Sequence, residues 1–220
     1  ASGGTGTNGT AGNGTGVRFN DPVVRNKPTG TITIDTTGAT GGGVTFASGA
    51  TLNATTAFDE ALTLKGGAIT FGDTVGNSKE LGAVIITDST QVNVDAAFKS
   101  KSLTATSNIT EFDSAGFTIT TIGATDQVGG NVSVTTSGAI VTGDINALGG
   151  ADGNASSGNT GGTVTLNAGA ALTVGAINTS GSNSVGGSNT GGSAGTIDLD
   201  GTSVTLKGDL TAKGGTGTNG

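Results

Sequence analysis

The sequence predicts an all-β protein, a parallel β-helix (β-solenoid) with about three short strands per coil and roughly seven coils. Three observations predict it: short apolar runs that alternate with polar residues, a block that recurs every 32 to 33 residues, and the absence of helical spacing throughout.

The alternation comes first. Thr31-Ile32-Thr33-Ile34, Ala61-Leu62-Thr63-Leu64, Val92-Asn93-Val94, Phe117-Thr118-Ile119-Thr120, Val132-Ser133-Val134 and Thr163-Val164-Thr165-Leu166 have period two. They are rich in β-branched residues and bounded by Gly or Asn, so each reads as a strand with one buried face. Glycine supplies 44 of 220 residues and threonine 41. Each glycine opposes helix by about 1 kcal/mol relative to alanine. The same composition without alternation would describe a disordered linker.

The repeat sets the architecture. Segments 130–134, 162–166 and 195–199 align, each followed by a second apolar pair and, after a glycine, a single apolar residue. Stacking such coils at about 4.8 Å pairs every strand with its equivalent above and below. Equivalent residues then form columns: Val132, Val164 and Ile197; Val134, Leu166 and Leu199; Ile140, Leu172 and Val204; Ile145, Ile177 and Leu210. Gly143, Gly175 and Gly208 are expected at corners that need positive φ or a tight bend. Gly/Ser/Asn insertions at 149–160 and 180–193 are expected to project on one side.

Residues 129–211 are thus regular coils, whereas 15–128 reads as looser, Phe-containing coils, wider or differently capped. Candidate inward pairs there are Val17/Phe19, Ile32/Ile34, Val44/Phe46, Leu62/Leu64, Ile69/Phe71, Val84/Ile86, Val92/Val94, Ile109 with Phe112, and Phe117/Ile119. Residues 1–9 nearly repeat 212–220, differing at Ser2 against Lys213. Segments 1–14 and 212–220 are therefore equivalent inter-coil loop text, and 1–220 is one β-solenoid unit of a tandem array with a period of 211 residues. A chain without Met is expected to come from a longer or processed precursor.

Composition excludes several chemistries. Cys, His, Met, Trp and Tyr are all absent, which removes disulfides, the usual zinc and haem sites, and Ser–His or Cys–His nucleophiles. Nine basic residues against 16 acidic ones give a net charge of −7, and no basic cluster with interleaved aromatics occurs, so no nucleic-acid partner is expected. The longest apolar run, 83–86, is too short for a membrane span of about 20 residues.

The unit Gly-Gly-Thr-Val-Thr-Leu-Asn-Ala-Gly at 161–169, continued by Leu-Thr-Val-Gly-Ala-Ile-Asn-Thr-Ser-Gly at 172–181, resembles the long repetitive bacterial exoproteins of the filamentous-haemagglutinin type. Segments 17–23 and 66–71, the latter preceding 81–94, are similar to them too. The resemblance implies a right-handed β-helix, secreted to the bacterial cell surface as a large adhesin or a fibre of the biofilm matrix. It carries over no catalytic, cofactor-binding or metal-binding residue.

Candidate chemistry is correspondingly thin. Parallel β-helices can hold polysaccharide-cleaving carboxylates, and Asp198 with Asp200, joined by Asp209, is the available set. Lys207 stands alone beside it, and no aromatic platform for a sugar ring is apparent. Asp126, Asp144, Asp152 and Asn154 offer hard oxygen ligands for calcium, but the calcium-binding nonapeptide is absent because 149–153 misplaces its acid. An ice-binding Thr-x-Thr grid is broken by the ranks Asn131/Ser133 and Thr196/Asp198. Sequons begin at Asn8, Asn13, Asn53, Asn108 and Asn154, as expected by chance in Thr-rich text. The expectation is a non-enzymatic extracellular fibre repeat, without cofactor, whose partners are further copies of itself. The alternative is an adhesin passenger that binds a host or matrix carbohydrate through its Gly/Ser/Asn-rich loops.

Overall fold

The computed structural model describes residues 15–27, 30–38, 41–154 and 157–218. These contain nineteen strands, from Val17–Phe19 to Leu210–Thr211, and no helix. Seventeen strands join one large sheet, and Val23–Arg25 pairs with Leu52–Ala54 in a second. Every strand pairing is parallel, as β-solenoid stacking requires. The first nine residues, their match at 212–220 in part, and the sequons at Asn8 and Asn13 lie outside the described residues.

Register converts the alternation into five rows of side chains that run the length of the stack. The first is Ile32, Leu62, Val84, Leu103, Val132, Val164 and Ile197. The second, two residues further along each strand, is Ile34, Leu64, Ile86, Ala105, Val134, Leu166 and Leu199. The third is Val17, Val44, Ile69, Val92, Phe112, Ile140, Leu172 and Val204. The fourth begins Phe19, Phe46, Phe71, Val94, reaches Ser114 opposite Thr142, and ends Val174, Leu206. The fifth is Val23, Leu52, Val75, Phe98, Ile119, Ile145, Ile177 and Leu210. All four columns expected from the regular repeats are present in register.

The core is the inside of these rows. Leu64, Ile69, Phe71, Phe98, Phe112, Ile140 and Leu166 are fully buried. Phe19 and Phe46 stack with centroids 4.8 Å apart, Phe46 and Phe71 at 5.5 Å, and Phe98 closes edge-on to Phe71 at 5.3 Å. The first spacing equals that of neighbouring strands, so the backbone ladder itself sets the rings at a favourable offset-stacking distance.

Three expectations are corrected. Phe117 is 39% exposed and not the partner of buried Ile119. Gly116, at φ 78, turns the chain so that Phe117 N–H donates to Ser114 O, and the strand starts only at Ile119. Gly143, Gly175 and Gly208 are absent from the residues of positive φ. They are needed for closeness instead: a Cβ on Gly175 would lie 2.6 Å from Asp144 Oδ1 and 2.7 Å from Gly143 C. The earlier coils are shorter in the middle of the chain, not wider. Register partners Val84 and Leu103 are 19 residues apart and Val75 and Phe98 are 23 apart, against 32 for Val132 and Val164.

The Gly/Ser/Asn insertions also differ from projecting loops. Each is pinched at its base by a backbone bond, Gly130 N–H to Thr121 O, Gly162 N–H to Ala147 O, and Gly195 N–H to Thr179 O. Successive insertions then bond to one another: Gly149 N–H to Ser180 O, Gly158 N–H to Thr190 O, Gly161 N–H to Ser193 O, and Gly181 N–H to Lys213 O. They form a second hydrogen-bonded stack beside the core, outside any strand. Glycine permits it, since a Cβ on Gly158 would sit 2.6 Å from Gly192 N. The backbone polar groups of these long segments are thereby satisfied by their counterparts one coil away.

Two expected outcomes follow. Leu166→Asp places a carboxylate in a dry row and lowers stability by about 4 kcal/mol or more in urea unfolding, whereas Thr173→Asp, outward between Val141 and Thr205, changes it by less than about 0.5 kcal/mol. Ser114 Oγ and Thr142 Oγ1 are buried, face each other in register, and have no hydrogen-bond partner. Thr142→Val removes such an orphaned hydroxyl, and its melting temperature should rise by about 2–4 °C in calorimetry.

Candidate functional site

The two ends of the stack are where the repeated geometry stops. At the C-terminal end, strands Ile197–Asp200, Ser203–Leu206 and Leu210–Thr211 pair on one side only. Val204, Leu206 and Leu210 are 45%, 51% and 41% exposed, and Ile197 and Leu199 are only partly covered. At the opposite end Val17, Phe19, Val23, Ile32 and Ile34 begin the same rows. Phe19, Val23, Ile32, Ile34, Leu52 and Leu62 line an apolar cavity there of about 230 Å³. Residues 1–14 contain no Val, Ile, Leu or Phe with which to fill it. Among the described residues both ends therefore carry strand edges with no partner beside exposed or half-buried apolar side chains, the arrangement that invites pairing with another chain.

Arg25 sits beside that cavity and is almost wholly buried. It donates to Lys27 O at 3.1 Å and to Gly30 O. Burial pulls its pKa below the ordinary guanidinium value, while the carboxylates of Glu60 and Asp59 oppose the shift. Glu60 is fully buried and accepts from Thr55 N–H at 3.2 Å and Thr56 N–H at 3.0 Å, which closes the 55–60 turn. Half-buried carboxylates are held by turns in the same way. Asp73 lies below the usual carboxylate range because Thr74 and Gly49 N–H donate to it, and Asp35 because the Thr37 hydroxyl and N–H do.

The residues singled out in the sequence fall as follows. Asp198 and Asp200 share the outward face of the last coil, in register with Thr165 and Asn167, and with Asp209 they are exposed. They line none of the cavities described here. Asp126 and Asp152 do meet in one loop cluster, but through backbone donors. Asp126 Oδ1 accepts from Gly153 N–H at 2.7 Å, and Asp152 Oδ2 accepts from Val185 N–H at 2.7 Å. Asn154 Nδ2 donates to Asp126 Oδ2. Asp144 is elsewhere, its Oδ1 accepting from Ala176 N–H at 2.8 Å. Among the described residues no group of three acidic side chains is placed to hold a metal ion. The outward ranks Thr31/Thr33 and Thr163/Thr165 are separated by Ala61/Thr63, Ala83/Ile85, Ser102/Thr104 and Asn131/Ser133, so the Thr-x-Thr grid is broken in the structure as in the sequence. Phe58 lies on the flank of the stack and lines two neighbouring depressions. No helix is long and apolar enough to cross a membrane.

Comparison with protein families, with curated proteins and with solved structures finds no match to this chain.

Because Asp152 accepts from the backbone N–H groups of Val185 and Asn154, millimolar Ca²⁺ and EDTA should give the same melting temperature within about 1 °C. Asp152→Ala should lower it by about 5 °C in either condition, as loss of a buried charge-assisted hydrogen bond requires.

Proposed function

We propose that the chain is a non-enzymatic structural repeat of an extracellular fibre, built by stacking the N-terminal end of one copy on the C-terminal end of another. The observation that carries this reading is that both ends belong to the same five rows. Ile32 and Ile197, Ile34 and Leu199, Val17 and Val204, and Val23 and Leu210 are opposite ends of rows that the register makes continuous. A second copy placed one strand spacing away, at about 4.8 Å, extends the third, fourth and fifth rows, and the first and second rows, which have seven members against eight, resume two spacings on. Such a head-to-tail contact leaves a fresh end on each copy, so it does not close and propagates as a filament. A right-handed coil of three strands, repeated about seven times per unit, fits this reading and the resemblance to filamentous-haemagglutinin-like matrix proteins. An extracellular, bacterial cell-surface setting is supported by a composition lacking Cys, Met, Trp, Tyr and His, which leaves little that is readily oxidised.

The seam also has an electrostatic signature. Each copy carries a net charge of −7, so copies repel one another as their ends approach. Added salt screens that repulsion and should hasten growth.

The purified chain should form filaments of constant width by negative-stain electron microscopy, faster in 0.5 M than in about 0.05 M NaCl. Leu206→Asp with Leu210→Asp, at exposed positions, should abolish filaments while holding the melting temperature within about 2 °C. A chain that stays monomeric at millimolar concentration, or filaments indifferent to the double variant, would overturn the proposal.

A further inference from the structure

The flank of the stack holds a trough made by unequal coil lengths. From the fifth row to the first, the chain takes five residues between Phe98 and Leu103. It takes ten between Leu52 and Leu62, and thirteen between Ile119 and Val132. The short connection is the floor, and the longer ones rise on either side of it as walls. Two adjoining depressions result, of about 220 and 290 Å³, and Phe58, Ile122 and Gly123 line both.

Both walls are pre-organised. Phe58 has φ 64, a left-handed backbone that bulky side chains rarely adopt and that costs stability. Its N–H donates to Glu80 O at 2.9 Å, and buried Glu60 caps the same turn at Thr55 and Thr56. Opposite, Gly123 N–H donates to Leu148 O, Gln127 N–H to Ala124 O, and Gly150 N–H to Gln127 O. Val128 beside them is 63% exposed. A strained aromatic held half-open on a rigid wall has surrendered packing for access to whatever lies in the trough.

The polar lining differs between the two depressions. Lys101 and Gln127 line the first, which has no carboxylate among its lining residues. Lys99, Glu80, Ser100 and Thr120 line the second. Neither lysine has an ion-pair partner among the described residues, where Lys65–Asp88 is the pair formed. We propose that this trough binds a glycan in which an acidic sugar neighbours a neutral one, the uronate carboxylate on Lys101, the neutral sugar between Lys99 and Glu80, and a ring face against Phe58. A neutral sugar suits the second depression because its hydroxyls both accept from an ammonium and donate to a carboxylate. The apolar face of a sugar ring covers an exposed phenyl ring, and polar groups around it fix orientation. The net charge of −7 disfavours a uniformly charged polymer such as DNA, and the two lysines act only at contact range. This site is separate from the stack ends and does not rest on filament growth.

Isothermal titration of the full chain with a hexasaccharide alternating glucuronate and N-acetylglucosamine should give saturable binding. It should be at least tenfold tighter than that of the neutral N-acetylglucosamine hexamer. Phe58→Gly should weaken it at least tenfold while keeping or raising the melting temperature, because glycine suits φ 64. Lys101→Gln should weaken it similarly, and Lys207→Gln, on the terminal coil, should leave it unchanged. Filament growth should be the same in all three variants, which separates failure here from failure of the stacking reading. No binding, equal binding of the neutral hexamer, indifference to Phe58→Gly or Lys101→Gln, or an equal loss in Lys207→Gln would each overturn the proposal.

Discussion

Parallel strands in register impose one constraint on everything else in this protein: a residue must suit the residue in the same position one coil away. The backbone ladder holds neighbouring strands about 4.8 Å apart. A row therefore stays dry only if each of its members is apolar and of compatible size. The Phe19 and Phe46 rings follow at that spacing and Phe71 at 5.5 Å, while Phe98, from the fifth row, meets Phe71 edge-on. Where the fourth row passes through Ser114 and Thr142, the buried hydroxyls have no partner and the constraint is locally violated. The same rule governs the Gly-rich insertions, whose carbonyls and amides find partners one coil on at glycines that leave room for them.

A ladder of this kind has no natural end. Closed barrels and capped sandwiches abolish or cover their strand edges, whereas a stack terminates in two faces whose amides, carbonyls and aliphatic rows are unfinished. In this chain the two end faces are cross-sections of the same rows, begun by Val17, Val23, Ile32 and Ile34 and ended by Val204, Leu210, Ile197 and Leu199. The flank trough has a different origin, the variation in how many residues each coil spends between its fifth and first rows.

Much of this was legible in the amino-acid sequence, for a definite reason. Where apolar residues come in pairs two apart, as in Val132/Val134 and Val164/Leu166, the period-two signal and the 32-residue offset report the same fact twice, and the columns follow. Val75 carries no such signal. It lies outside any strand and meets Leu52 and Phe98 through single bridges, so only the assembled row reveals it. Phe117 shows the converse failure, since alternation with Ile119 was genuine in the sequence but a glycine turn lay across it. Phe58 was illegible as the wall of a depression because Ile122 and Gln127, which line it too, lie more than sixty residues away.

The sequence by itself determined the strand content, the inward faces and the phase of the regular coils, because these depend on local alternation and on repetition along the chain. Tertiary structure alone decided which single residues complete the fifth row, that the insertions stack instead of projecting, and that short coils open a trough beneath Phe58. Those outcomes depend on which segments lie one strand spacing apart, and that proximity is a property of the wound chain and not of neighbours in sequence.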